Sequence, residues 1–382
     1  MPAAQAPVQL ALLGTGQVGR AVLQRLSCWS GEGFAAHLAL VHVANSRIAA
    51  TLSPSPSGRG DGMRVRADAI TTSHPHPPFE HLLPEGERKR IVASDLGSIA
   101  SVFSGDASRI VIDATASDEV AARQAEWLSR GIHVVTACKL GQGTSLARWH
   151  AIRAACARSG ACYGDSATVG AGLPLLRSLR ELRSGGDRIH AIAGVLSGSL
   201  AWLFHHYDGT RPFSALVRQA RDAGYTEPDP RDDLSGEDVR RKLLILARAA
   251  GVELDADDVE VESLVPAALA MLPREVLDAG LPQLDAVLRT RHADAHRHGA
   301  NLRFVARLEE GRARVGLEAL AAGHPLAGGS DTDNRVAIWS DRYAVQPLVV
   351  QGPGAGADVT AAALLDDVLA IASGAARSAR AA

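Results

Sequence analysis

Residues 8–13 (VQLALL) form an apolar run too short for a helix, and Gly14 follows at once, so the run predicts a strand. Val18, Val22, Leu23 and Leu26 then recur at helical spacing. Further strands are predicted at 38–44, 109–114 and 132–136, with helices over 118–130 and up to about Ser159. Strands alternating with helices in this way predict a right-handed parallel sheet. A helix over 173–184, a strand over 189–196 and helices over 198–207 and 214–223 follow, and 252–299 reads as mostly helical and polar. Period-two patterns at 302–308, 312–320, 335–338 and 344–350 predict antiparallel strands, and 359–372 predicts a closing helix that packs back on the first sheet. The expected fold class is α/β. A Rossmann-type nucleotide-binding domain takes 1–162 and 352–382, and an α+β domain takes the rest. The latter divides into a substrate and catalytic region, 173–301, and a sheet-forming dimerisation region, 163–172 with 302–351.

Candidate chemistry sits where these elements end. Gly14-Thr15-Gly16-Gln17-Val18-Gly19 matches G-x-G-x-x-G between a strand and a helix. Gly14 allows the tight turn, Gly16 lets a pyrophosphate approach the backbone, and Gly19 lets helix and strand pack closely. The second strand ends in Asn45-Ser46-Arg47, with no acid for a ribose 2′-hydroxyl, so NADP is favoured over NAD. Thr115 and Lys139 follow the carboxyl ends of two strands, where such sheets place their ligand. The Pro-, Ser-, Gly- and His-rich stretch from Thr51 to Lys89 reads as an insertion, and its His74, His76 and His81 as a solvated loop rather than a metal site.

The densest stretch is 224–250, GYTEPDPRDDLSGEDVRRKLLILARAA, in which Glu227, Asp229, Asp232, Asp233, Glu237 and Asp238 fall within twelve positions. Pro228 and Pro230 delay the helix to about Asp232, and Ser235 with Asp238 has the spacing of a capping box. Val239, Leu243, Leu246 and Ala250 give a buried stripe, and Gly251 a left-handed cap. Asp238 and Lys242, four apart, share a face suited to tuning a proton-transfer group. Gly170 and Gly172 around Ala171 leave carbonyls uncovered, for a monovalent cation or simply for a tight turn. His292 and His296 lack the glutamate of a metalloprotease helix.

A net charge of -2 offers no attraction for nucleic acid or anionic membranes. No run of eighteen apolar residues occurs, and the four cysteines (Cys28, Cys138, Cys156, Cys162) lack metal spacing, so a reducing cytoplasmic setting is expected.

The motifs VGAGLP (169–174), GVLSGSL (194–200), GYTEPDPRDDLSG (224–236), RKLLILAR (241–248) and GAGADVTAA (354–362), together with the glycine motif and Asn45-Ser46, resemble homoserine dehydrogenases over nearly the whole chain. The likeness is strongest to the dehydrogenase portion of bifunctional aspartokinase/homoserine dehydrogenases. It implies NADP- or NAD-dependent interconversion of L-homoserine and L-aspartate 4-semialdehyde, in threonine and methionine synthesis; the late antiparallel strands, a natural dimer surface, make a homodimer the expected assembly. It implies Lys242 as proton-transfer lysine and Asp238 as the residue placing it. Glu227, Asp233 and Asp238 are the implied substrate contacts, Lys139 a second lysine at the nicotinamide, and Thr115 and Gly356 cofactor contacts. Backbone oxygens of Ser166, Val169, Ala171 and Leu173 are implied ligands of Na⁺ or K⁺. The sequence departs from the family pattern at Cys138, where asparagine is usual, at Ser166, where glutamate is common, and in the Thr51–Lys89 insertion. With neither kinase nor regulatory segment between Met1 and Ala382, no threonine feedback is expected. Two other readings remain: a semialdehyde dehydrogenase using Cys138 as nucleophile, and a nucleotide-sensing protein without catalysis.

Overall fold

The run VQLALL is strand β1 (Val8–Leu13) in the computed structural model, which describes residues 8–53, 88–93, 95–329 and 331–374. It continues through helix α1 (Gln17–Gly31), β2 (Leu38–Ala44), β3 (Ile48–Ser53), β4 (Arg88–Ala93), β5 (Ser108–Asp113), α2 (Asp118–Ser129), β6 (His133–Thr136), α3 (Leu146–Ser159) and β7 (Tyr163–Gly164). These strands make one sheet in the order β4-β3-β2-β1-β5-β6-β7. Both faces of β1 are buried from Leu10 to Leu13, which is why those positions read as an apolar run. Leu10 and Leu12 join Val22, Leu23 and Leu26 of α1 on one face. Ala11 and Leu13 meet Val120, Trp127 and Leu128 of α2 and Ile152 of α3 on the other.

The sheet is mixed rather than purely parallel. Strands β2, β1, β5, β6 and β7 run parallel, while β3 and β4 are antiparallel additions at one edge. Asn45 causes the first reversal: its Oδ1 accepts the amides of Arg47 at 2.8 Å and Ile48 at 2.9 Å, closing a side-chain-mimicked turn that needs no crossover helix. The stretch expected to be an insertion is therefore tied at its ends, with Ser53 opposite Arg88. Its residues 54–87, His74, His76 and His81 among them, lie outside the described residues.

His42 of β2 is 3% exposed, with Nδ1 3.2 Å from the Thr51 hydroxyl, and burial pushes its pKa down from 6.5 to about 4. The folded chain keeps it neutral while the unfolded chain takes up a proton below 6.5, so stability falls with pH across that window. Denaturant titrations at a series of pH values should show a loss of about 3 kcal/mol between pH 6.5 and 4 from this one group. His42→Leu should flatten that slope, and an identical slope in the variant would exclude His42 as its source.

The second unit contains α4 (Leu175–Ser184), β8 (Ile189–Val195), α5 (Gly198–His206), α6 (Phe213–Asp222), α7 (Pro230–Leu234), α8 (Glu237–Ala249) and β9 (Val259–Val261). Next come α9 (Ala267–Ala270), α10 (Leu277–Gly280), α11 (Asp285–Arg297), β10 (Ala300–Glu309), β11 (Arg312–Ala321), β12 (Asp333–Ser340) and β13 (Leu348–Pro353). Its sheet has the order β13-β12-β8-β10-β11-β9. The four late strands are antiparallel as expected, but β8, from 189–195, lies between β12 and β10 in the middle. Regions 173–301 and 302–351 thus share one sheet. Strand β9 interrupts the stretch read as helical and pairs in parallel with β11. Residues 344–347 precede β13 rather than opening it.

Finally α12 (Ala357–Ala372) returns to the first unit, where Leu364, Leu365 and Val368 join the α1 side of its core. The chain divides into Met1–Gly141, Ala147–Gly172 and Gly356–Ala382 in one unit, and Gln142–Leu146 with Leu173–Ala355 in the other. Residues 163–172 therefore group with the first sheet, through β7, and not with the strands of 302–351 as the sequence suggested. Among the described residues no helix is long and apolar enough to cross a membrane.

Candidate active site

In the first unit the chain turns sharply between β1 and α1. Gly14 has φ +98°, and a Cβ there would lie 2.7 Å from the Ala114 carbonyl oxygen. At Gly19 a Cβ would fall 1.9 Å from the Gly14 oxygen, so both positions require glycine. Gly16 differs: a Cβ there would meet nothing within 4 Å. It is the N-cap of α1, with no side-chain cap and no acid in the first turn. Thr15 completes this turn, and Gln17 and Val18 open α1. Helix-start amides left uncapped beside an open glycine fit a phosphate group. Ser46 and Arg47, past the end of β2, are exposed.

Thr115 and Lys139 follow the carboxyl ends of β5 and β6, which with β1 are neighbours in the sheet. Buried Asp113 fixes both ends. Its Oδ1 accepts the Thr115 amide at 3.0 Å and hydroxyl at 2.7 Å, while Oδ2 accepts Gln124 Nε2 at 2.8 Å and the Thr136 hydroxyl at 3.1 Å. Burial pushes its pKa up, and these donors pull against that shift. The Thr136 oxygen in turn accepts the Cys138 amide at 2.9 Å. The Cys138 thiol is buried, and burial followed by the Asp113 charge pushes it up to about 11. Gly356 has φ +131° and caps α12, its carbonyl accepting Thr360 Oγ1 at 2.7 Å.

Of the residues read as cation ligands, Ser166, Val169 and Ala171 lie in the first unit and Leu173 opens the second. Ser166 is bound to Asp367 through its amide (2.9 Å) and its hydroxyl (2.7 Å). Ala171 has φ +50°, a conformation uncommon for a residue with a Cβ.

The acidic stretch in the second unit folds differently from its sequence reading. Helix starts at Pro230, not Asp232, because the Asp229 side chain caps it by accepting the Arg231 amide at 3.0 Å and proline is tolerated at a first helical position. It stops after Leu234. Gly236 takes φ +78°, where a Cβ would press on Phe304 Cζ at 2.9 Å, and α8 then starts at Glu237. No Ser235–Asp238 capping box forms; Gly236 is the N-cap, and the Ser235 hydroxyl donates to the Asp232 carbonyl at 2.9 Å. At its other end α8 stops as expected, with Gly251 at φ +88°.

The Asp238 carboxylate lies on Lys242, Oδ2 to Nζ 2.8 Å. Lys242 is 9% exposed, and Nζ also donates to the Leu196 carbonyl, 2.7 Å away, just beyond β8. An ammonium so held has a fixed tip, as proton transfer to a bound group requires. Asp233 ties the neighbouring elements: Oδ1 accepts the Ser199 hydroxyl of α5 at 2.7 Å, and Oδ2 the Glu227 amide at 2.8 Å. Burial first, then the nearby charges of Asp238 and Asp232, pushes its pKa up. Glu227 itself is exposed. The second unit thus gathers Lys242, Asp238, Asp233 and Glu227. Sequence reading missed Leu196, which acts through its backbone and has no side-chain signature, and Ser199, although it stands inside the GVLSGSL block.

The first unit, with its glycine turn at the switch of a mostly parallel sheet, makes this an α/β protein with a Rossmann-type dinucleotide-binding unit. A family model for the homoserine dehydrogenase NAD binding domain matches residues 14–163, and one for homoserine dehydrogenase matches residues 174–369. The homoserine dehydrogenase of Emericella nidulans is 34% identical over 378 residues, covering 95% of this chain and 98% of that protein. Bifunctional aspartokinase/homoserine dehydrogenase 2 of Escherichia coli is 45% identical over 260 residues, 68% of this chain but 32% of that one. The chain thus spans about a third of the length of its bifunctional relatives. Among solved structures, a Candida auris protein of unknown function is 31% identical with a TM-score of 0.82, covering 96% of this chain and 99% of that one. A hyperthermophilic archaeal homoserine dehydrogenase in complex with NADPH shares the fold at a TM-score of 0.70 and 20% identity, covering 95% and 97%. The chain belongs to the homoserine dehydrogenase family.

Proposed function

We propose that this chain interconverts L-homoserine and L-aspartate 4-semialdehyde, with NADP as the favoured cofactor and NAD as the alternative. The observation that carries the reading is the buried Lys242 ammonium held between the Asp238 carboxylate and the Leu196 carbonyl. NADP, when bound, takes or gives the hydride at its nicotinamide ring. In the reducing direction Lys242 delivers a proton to the substrate oxygen as the C–H bond forms at C4; in the oxidising direction its amine takes the hydroxyl proton back. Asp238 orients Lys242 and contacts substrate. Glu227 and Asp233 hold the amino-acid end, and Lys139 serves near the nicotinamide. The open helix start at Gly16 fits the pyrophosphate, with Thr115 and Gly356 as further contacts. Asn45, Ser46 and exposed Arg47 suit a 2′-phosphate, since no acid stands there. Carbonyls of Ser166, Val169, Ala171 and Leu173 suit Na⁺ or K⁺. Pairing through the second sheet into a homodimer, a cytoplasmic setting, and a place in threonine and methionine synthesis complete the proposal.

The test is a substrate panel: NADPH formation from L-homoserine against other hydroxy acids, with NADP and NAD compared. Turnover of other hydroxy acids but not of homoserine would sink the substrate assignment. The Cys138 alternative is disfavoured by a thiol pushed up to about 11, which leaves little thiolate near neutrality. Cys138→Ser is therefore expected to keep kcat within about twofold, whereas a nucleophile would lose orders of magnitude.

A further inference from the structure

Asn334, on β12, is 1% exposed, and neither Oδ1 nor Nδ2 has a hydrogen-bond partner among the described residues. Buried carboxamides are almost always satisfied, so an amide with both ends unmet is a strong exception. The other end of the same strand follows the rule: the buried Ser340 hydroxyl donates to Asp187 at 2.9 Å. The position of Asn334 is informative. Arg335 pairs with Val195, the last residue of β8, so Asn334 adjoins that pair on one strand as Leu196, whose carbonyl holds Lys242 Nζ, adjoins it on the other. On the other side Asn334 pairs with Gly352 of β13. A Cβ added at Gly354 would lie 2.0 Å from Asn334 Cγ, 2.2 Å from Nδ2 and 2.3 Å from Oδ1. The amide plane therefore lies against Gly354, in space that any larger residue would take.

We propose that Asn334 is a substrate-binding residue whose Nδ2 donates to the α-carboxylate, and whose Oδ1 accepts from the α-ammonium, of the amino-acid substrate. The inference rests on the homoserine reading above and extends it to the recognition of the substrate's head. Glu227, Asp233 and Asp238 can only accept from that head when ionised, so they leave its carboxylate without a donor, and Lys242 is assigned to the reacting oxygen. A neutral carboxamide supplies the missing donor without adding to the charge of those three acids. Three bonds separate the α-carbon of homoserine from its hydroxyl oxygen, a reach on the scale of the roughly 4.8 Å spacing of adjacent strands.

The test is Asn334→Leu, of similar shape and with no polar atom, assayed with L-homoserine and NADP. The KM for homoserine should rise about tenfold or more, with kcat and the KM for NADP each within about threefold. Tm should hold or rise, because an unmet buried amide has been removed. Gly354→Ala, whose Cβ displaces the amide, should raise the homoserine KM in the wild type and add little in an Asn334→Ala background. Asn334→Ala also serves as the first comparison should the leucine variant fail to fold. An unchanged homoserine KM, a shift confined to NADP, or additive effects of the Gly354 and Asn334 changes would each overturn the proposal. Absence of homoserine turnover by the wild-type chain would instead overturn the functional reading on which it rests.

Discussion

Lys242→Ala is expected to lower kcat for homoserine oxidation by about 10²- to 10⁴-fold, the range that a positioned proton-transfer group supplies. The fold should survive. Alanine is the best helix former, and the Asp238 carboxylate, 44% exposed, returns to solvent rather than being left as a buried lone charge. The homoserine KM should move much less than kcat, since the amino-acid end is assigned to Glu227, Asp233 and Asp238. Lys242→Arg separates charge from proton transfer: a guanidinium keeps the positive charge but does not release its proton, so it should be nearly as inactive. Steady-state rates on the purified variants check both. Activity within tenfold of wild type in Lys242→Ala would remove this lysine from the mechanism.

Gly19→Ala should have the largest effect on the nucleotide side. The added Cβ would stand 1.9 Å from the Gly14 oxygen and 2.8 Å from its carbonyl carbon, and both are backbone atoms that cannot swing aside. Either α1 moves off β1 or the turn opens, and overpacking of this kind typically costs about 1–3 kcal/mol. The turn is also the proposed pyrophosphate cradle, so cofactor affinity should fall by at least about tenfold along with Tm. Fluorescence titration with NADPH and a thermal melt measure the two effects. Gly16→Ala is the control for space, because its Cβ would meet nothing within 4 Å; it should leave Tm nearly unchanged and weaken only the cofactor. Wild-type affinity and Tm in Gly19→Ala would contradict the close packing of helix and strand.

The nucleotide unit was legible because its signals are local. Gly14 and Gly19 stand where no side chain fits, and β1 reads as a strand buried on both faces. The Asp238–Lys242 pair was legible too, since four-residue spacing on a helix puts two side chains on one face. What local pattern could not supply was any fact set by a distant partner. The capping box failed because the backbone reverses at Gly236, under Phe304 from a strand far along the chain. Strand β8 was recognised as a strand, yet its place between β12 and β10 depends on non-local antiparallel pairing that no stretch of sequence encodes. The three-residue β9 was lost inside a polar stretch. Lys242's second partner is a carbonyl, indistinguishable in sequence from any other. Asn334 looked like one more polar position in an alternating strand, and its burial with no hydrogen-bond partner among the described residues sets it apart.

Direct hydride transfer between homoserine and the nicotinamide can be followed with L-homoserine carrying two deuterium atoms at C4. Incubated with NADP and the purified chain, it should give NADPH bearing one deuterium at the nicotinamide C4 and a semialdehyde retaining the other, with none passing to water. Deuterium released to solvent, or NADPH formed without label, would rule out direct transfer.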